Sequence, residues 1–300
     1  MIRRRGNRIK FNDMLFHTIN YTVFGLFTLM CIYPFYYIFI YSISDSQLAS
    51  RGIYLLPKGV TLYNYYIVLR NPGIASAALV SLSRTVAGTV LTVFCISLFG
   101  YVLTKKELFL RKFIYRFVVM TMYLNPGLIP YYILIQKLGL RNNFLVYILP
   151  GAVSAFNLIL VKTYIEQIPS SLEEAAMVDG ADYFRIFLKI IFPVSMPIIA
   201  TIAVFTAVGQ WNSFSDNLFF VSNPKLQTLQ MTLYKVLANV SEVGANVTTE
   251  DIRRNIRVVQ PTSTTIRMTI TMIVTLPILF VYPFLQRYFV KGIMLGAIKG

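Results

Sequence analysis

The chain has 300 residues, 56% hydrophobic and only 13% charged, with a mean hydropathy of +0.62. Soluble domains carry roughly a quarter charged residues, so this composition argues against a soluble enzyme and for a chain whose solvent is the lipid bilayer. The formal charge of +16 comes from 28 Lys+Arg against 12 Asp+Glu. The basic residues lie between apolar runs, where headgroups and topology account for them, and no basic stripe on a recognition fold points to nucleic acid.

The N-terminal segment carries Arg3, Arg4, Arg5, Arg8 and Lys10 ahead of the first apolar run, Leu15 to Ile43. That run is longer than the h-region of a signal peptide and no small-x-small site closes it, so it is expected to remain as a first membrane helix. Further runs follow at Ala77–Leu103, Phe113–Ile135, Phe144–Ile165, Val194–Phe214 and Thr265–Phe289. Each is long enough to cross a hydrocarbon core that needs about 20 apolar residues. None alternates as a barrel strand does, so the expectation is an all-α integral membrane protein with six transmembrane helices. Prolines recur within the runs, at Pro34, Pro126, Pro130, Pro150, Pro197, Pro277 and Pro283. Membrane helices tolerate proline where neighbours satisfy the freed carbonyls.

Lys and Arg set the expected orientation. Lys105, Lys106, Arg111, Lys112 and Arg116 join the second run to the third. Arg185 and Lys189 lie between the fourth and fifth, and Arg287, Lys291 and Lys299 close the chain. With six spans these regions share a side with the N-terminus, so both termini are expected in the cytoplasm. The 222–264 stretch is then a long outer loop, within which Leu226–Leu237 has the pattern of a short amphipathic helix and Asn239–Asn255 is polar. Cys31 and Cys95 lie far apart in apolar runs and His17 stands alone, which suggests neither a disulfide nor a metal site.

The connection spanning 168–193 holds the most information. It runs Ser170-Ser171-Leu172-Glu173-Glu174-Ala175-Ala176-Met177-Val178-Asp179-Gly180 and then from Asp182 to Pro193. A serine cap with Glu173 or Glu174 completing a capping box would start a helix there. The acids suit its positive end, and Gly180 would end it with a left-handed turn. A second helix is expected from about Asp182 to Pro193, making a short helix-turn-helix.

This segment resembles the EAA loop of bacterial ABC importer permeases, written E-A-A-x3-G-x9-I-x-L-P. The chain has Glu174-Ala175-Ala176, three residues, Gly180, nine residues, Ile190, and then Phe192-Pro193 with Phe in place of the usual Leu. The layout is similar to the MalG-like, carbohydrate-uptake branch over nearly the whole chain. The tail Tyr288–Gly300 narrows the resemblance to permeases of the LplC/YtcP type. The resemblance implies a type I ABC importer permease fold in the bacterial cytoplasmic membrane, importing a carbohydrate such as an oligosaccharide or glycan fragment. It implies two ATP-binding-cassette ATPase subunits, a second related permease and an extracellular solute-binding protein as partners. Glu173, Glu174, Ala175, Ala176, Asp179, Gly180, Ile190 and Pro193 would form the loop that docks on the ATPase, with Glu174 pairing with a basic group there. No G-x-x-x-x-G-K-[ST] sequence occurs, so ATP and Mg belong to the partner ATPase and this chain is expected to bind no cofactor and to catalyse nothing.

The stretch Gly209-Gln210-Trp211-Asn212-Ser213-Phe214-Ser215-Asp216-Asn217 resembles the Trp-Asn segment of sugar permeases. Gln210, Trp211, Asn212 and Asp216 offer the aromatic face and planar polar groups that hold sugars. Arg84 and Asn157 are polar residues inside apolar runs, where such groups face a bundle interior or a watery path. Arg84 has the alternative of snorkelling to a surface. Two rival readings are a permease of this class for a non-sugar solute and an ion-gradient-driven transporter. The latter calls for intramembrane carboxylates, which the apolar runs nearly lack.

Overall fold

In the computed structural model, residues 11–238 and 261–297 are described, with side chains described for 13–238 and 261–281. The N-terminal basic residues up to Lys10, the polar stretch 239–255 and the side chains of the 288–300 tail lie outside these. In chain order the helices are α1 (Phe11–Ser42), α2 (Ser46–Ser50), α3 (Tyr63–Arg70), α4 (Pro72–Val102), α5 (Arg111–Thr121) and α6 (Leu128–Lys137). After a 3₁₀ turn at Phe144–Tyr147 come α7 (Ala155–Ile165), α8 (Ser171–Val178) and α9 (Tyr183–Ile186). A π-helical segment, Phe187–Ile191, leads to α10 (Phe192–Val194), α11 (Met196–Asn212) and α12 (Ser215–Phe220). A 3₁₀ turn at Pro224–Leu226, α13 (Leu229–Ala238) and α14 (Ser263–Ala297) complete the order. Among the described residues the only β pairing is the isolated bridge between Ser44 and Val60.

Among the described residues, three helices are long and apolar enough to cross a membrane: Asp13–Ser42, Pro72–Val102 and Ser263–Val281. They match the first, second and last predicted runs. A fourth candidate is the pair Tyr183–Val194 and Met196–Asn212, bent by 81° at Ser195. The third and fourth predicted runs are not continuous helices, which corrects the expectation. The third breaks between α5 and α6, where Asn125 Oδ1 accepts from the Gly127 amide at 3.0 Å and Gly127 takes φ +77°. Pro126 disfavours helix at Asn125, and Gly127 supplies a turn other residues resist. In the fourth, Pro150-Gly151 separates the 3₁₀ turn from α7. The 11 residues of α7 span about 16 Å at 1.5 Å per residue, short of a hydrocarbon core about 30 Å thick.

The described residues fall into two compact units, one from 11–68 with 261–272 and the other from 69–238 with 273–297. In the first, α1 is apolar on every side and almost wholly exposed, which suits a lipid-facing helix. Its end is tied down by buried Asn64, which donates to the Ser42 and Ser44 carbonyls at 2.9 and 2.8 Å and accepts from Ser46 Oγ at 3.2 Å.

In the second unit α4 is the central strut. Its buried positions recur every three or four residues: Ile74, Ala77, Ser81, Arg84, Gly88, Thr92, Ile96 and Gly100. Most are small, which is how helices approach closely where lipid removes the hydrophobic drive to associate. A Cβ on Gly100 would lie 3.1 Å from Val161 Cγ1 on α7, and one on Gly88 only 2.8 Å from Gln210 Nε2 on α11. The core at the C-terminal end of α4 joins Ile96, Tyr101 and Leu103 to Leu158, Val161 and Ile165 of α7, to Ile186, Phe187 and Ile191, and to Ile202 of α11.

Candidate functional site: the 171–194 segment and a buried arginine

α8 places the acidic pair in its first turn. The expected capping box does not form. Ser170 is itself helical (φ −61°, ψ −25°) and its side chain makes no cap bond. Glu173 turns instead to Lys105, with which it makes an ion pair, and accepts from Tyr101 Oη at 3.4 Å. A cation and a phenol outside the helix give the carboxylate stronger partners than a local amide would.

The far end of α8 follows the expectation. Gly180 is left-handed at φ +79°, its amide donates to the Met177 carbonyl at 3.0 Å, and the Ala181 amide donates to Ala176 at 2.9 Å. This pair of bonds is a Schellman closure, which glycine permits without strain. Asp182 then caps α9, its carboxylate accepting from the Arg185 amide at 2.7 Å.

The resulting corner has two faces. Ala176, Ala181 and Ile190 pack on the core. Glu174, Ala175, Asp179, Gly180 and Pro193 face outward. Between α8 and the following helices lies an open groove of about 450 Å³ lined by Ala176, Asp179, Ala181, Arg185 and Lys189, with Ile186 and Ile190 at its base. Its rim of one acid and two bases on an apolar floor fits a partner protein's knob better than a small molecule.

The other polar residues gather elsewhere. Arg84 does not snorkel; it is 2% exposed. Its Nη1 and Nη2 donate to Asp216 at 3.1 and 2.5 Å. Nε and Nη2 donate to Gln210 Oε1 at 3.1 and 2.9 Å, and Nη1 also reaches the Ser213 carbonyl at 3.2 Å. The guanidinium lies 4.5 Å from the centre of the Tyr147 ring, and Gln210 Nε2 donates to the Tyr147 carbonyl at 3.1 Å. A neighbouring set extends the cluster: Asn217 Oδ1 accepts from the Thr228 amide, and the Leu229 amide donates to Ser81 Oγ.

Three of the six predicted pathway residues, Arg84, Gln210 and Asp216, therefore form one closed network. Trp211 is separate, its Nε1 donating to the Val274 carbonyl at 3.1 Å. Asn212 is exposed and accepts from Gln230 at 3.1 Å. Asn157 is half-buried on α7. Sequence reasoning missed Lys105, Tyr101 and Tyr147. In the sequence Lys105 bears only on topology, and neither tyrosine lies in a motif.

A family model described as "Binding-protein-dependent transport system inner membrane component" matches residues 96–295, which include the whole of this corner. The chain belongs to that family. The permease is 34% identical over 96% of its length to the polygalacturonan/rhamnogalacturonan transport system permease protein YtcP of Bacillus subtilis, covering 99% of that protein. It is 36% identical to protein LplC of the same organism, over 95% of each chain. Among solved structures it resembles a chain of a bacterial ABC transporter involved in the import of the acidic polysaccharide alginate. The TM-score is 0.84 and the identity 31%, over 93% of this permease and 98% of that chain.

Proposed function

We propose that this permease is the membrane-spanning subunit of an ABC importer that carries an oligosaccharide or glycan fragment into the cytoplasm. In this reading the membrane is the bacterial inner membrane, crossed by six segments, the third and fourth interrupted. The termini and the 168–193 loop face the cytoplasm and the 222–264 loop faces outward. The observation that carries it is the corner at α8: an exposed Glu174-Ala175 edge beside an apolar-floored groove, closed by a left-handed glycine, on a chain without a nucleotide-binding sequence. Such an edge is built to be gripped by another protein. Two ATP-binding-cassette ATPases, using ATP and Mg, supply the energy. One docks at Glu174, Ala175, Asp179 and Gly180 here and the other on a second, related permease, while an extracellular binding protein delivers the sugar. Relatives named for polygalacturonan and alginate make acidic glycan fragments the first substrates to try. Trp211, Asn212 and Asn157 retain an aromatic face and amides for sugar hydroxyls. Arg84, Gln210 and Asp216 are engaged with one another and shape the wall of the path.

The test is uptake of labelled oligogalacturonides into vesicles containing this permease with its partner permease, ATPase and binding protein. Uptake that requires ATP supports the reading. Uptake that persists without ATP and follows a proton gradient overturns it. Glu174→Lys is expected to leave membrane insertion intact while the ATPase no longer co-purifies.

A further inference from the structure

The two adjacent acids of α8 are in different situations. Glu174 is exposed, whereas the Glu173 side chain is 18% exposed and paired with Lys105, 17% exposed, just past the end of α4. Lys105 Nζ also lies 4.0 Å from the centre of the Tyr101 ring and 5.5 Å from that of Tyr183 on α9. Tyr101, on α4, stacks on Phe187 with ring centres 5.6 Å apart. Five side chains thus join the end of α4 to α8, α9 and the π-helical segment. An exposed ion pair contributes little to holding two elements together, about 0–1 kcal/mol. This pair is four-fifths buried, and its carboxylate also takes a phenol hydrogen bond. If Glu173 turned outward to a partner protein, Lys105 would be left as a largely desolvated lone cation, a costly state. Glu173 therefore cannot serve both the ATPase and Lys105.

We propose that Lys105 and Glu173 form the joint through which movement of α8 is passed to α4, making Lys105 a positioning residue for transport, while Glu174 alone of the pair meets the ATPase. The geometry gives the joint a consequence along the whole unit. α4 is one unbroken helix from Pro72 to Val102, so a pull at Lys105 acts on its packed stripe and on Arg84 nearer its other end.

The inference rests on the docking role proposed for α8, and the experiment separates the two. The complete transporter, with binding protein, is reconstituted with Lys105→Glu, Glu173→Lys, the charge-reversed double variant, and Lys105→Arg. Three quantities are read: ATPase co-purified per permease, ATP hydrolysed, and sugar taken up. Each single reversal is expected to retain ATPase within about twofold of wild type while uptake per ATP falls at least tenfold. The double variant is expected to recover at least a third of that ratio, and Lys105→Arg to keep most of it. For single reversals that do not insert, the neutral pair Lys105→Met with Glu173→Gln leaves no lone charge and is read instead, with the same loss of uptake at retained ATPase. Single reversals with wild-type uptake per ATP, a double variant no better than the singles, or a neutral pair that transports normally overturns the joint. Loss of co-purified ATPase in Glu173→Lys overturns it also, by showing Glu173 at the docking face. Failure of the docking role reads differently: Glu174→Lys would then retain its ATPase.

Discussion

Removing the counter-charge of Arg84 should destabilise the permease by an amount the geometry sets. Asp216→Ala deletes the acceptors of Nη1 and Nη2, leaving a guanidinium that is 2% exposed with bonds only to Gln210 and the Ser213 carbonyl. Breaking one side of a buried pair costs about 3–5 kcal/mol. The bonds that Arg84 keeps, together with the 20% exposure of Asp216, place this case at the low end, about 3 kcal/mol. With about 2.1 cal/mol/K of unfolding entropy per residue over 300 residues, each kcal/mol is worth about 1.6 °C of melting temperature, and the midpoint should fall by about 5 °C. Asp216→Asn keeps the shape and one acceptor and should lose about half as much, since a hydrogen bond to a charged group contributes about 1.5–3 kcal/mol. The assay is thermal unfolding of detergent-solubilised permease followed by the monodisperse fraction on gel filtration. Arg84→Met combined with Asp216→Ala should recover more than half of the loss, because no lone charge remains. An Asp216→Ala midpoint within about 1 °C of wild type, or a double variant as unstable as the two singles summed, would refute the account of this pair as a buried, mutually dependent unit.

Gly88→Ala should cost about 1–3 kcal/mol, since its Cβ would lie 2.8 Å from a Gln210 amide pinned by Arg84 and Tyr147; the penalty should shrink in a Gln210→Ala background, read by the same melts. Gly180→Ala meets open space, so its cost is backbone strain alone, about 1–2 kcal/mol, and faster hydrogen exchange at the amides of positions 180 and 181 should report the loosened Schellman closure. Asp182→Ala removes the cap of α9 at about 1 kcal/mol, and its signature is faster exchange at the Arg185 amide.

The long apolar helices α1, α4 and α14 were legible because twenty or more apolar residues in helical register admit few alternatives. The corner after α8 was legible too, because a glycine after Glu-Glu-Ala-Ala and an aspartate before the next helix are local signals that act within one turn. Other features depend on partners distant in sequence. The capping box at Ser170 failed because Lys105, far upstream, competes for Glu173. Local sequence leaves Arg84 free to reach a surface; Asp216 and Gln210, more than a hundred positions away, hold it inside. The breaks at Asn125-Pro126-Gly127 and Pro150-Gly151 were visible as residues. Hydropathy averaged over a window erased them, because a proline-glycine pair barely lowers the mean of a long apolar run.

The stripe of small residues on α4 has a mechanical consequence. With glycine at positions 88 and 100, backbone rests almost directly on the side chains of α11 and α7, with no flexible layer between to shear. Packed elements of this kind do not deform gradually; they shift between discrete arrangements or travel together. The trio α4, α7 and α11 is therefore the stiff chassis of its unit. Bending is left to the places where helix is already interrupted: residues 122–127, the Pro150-Gly151 turn, and the elbow at Ser195.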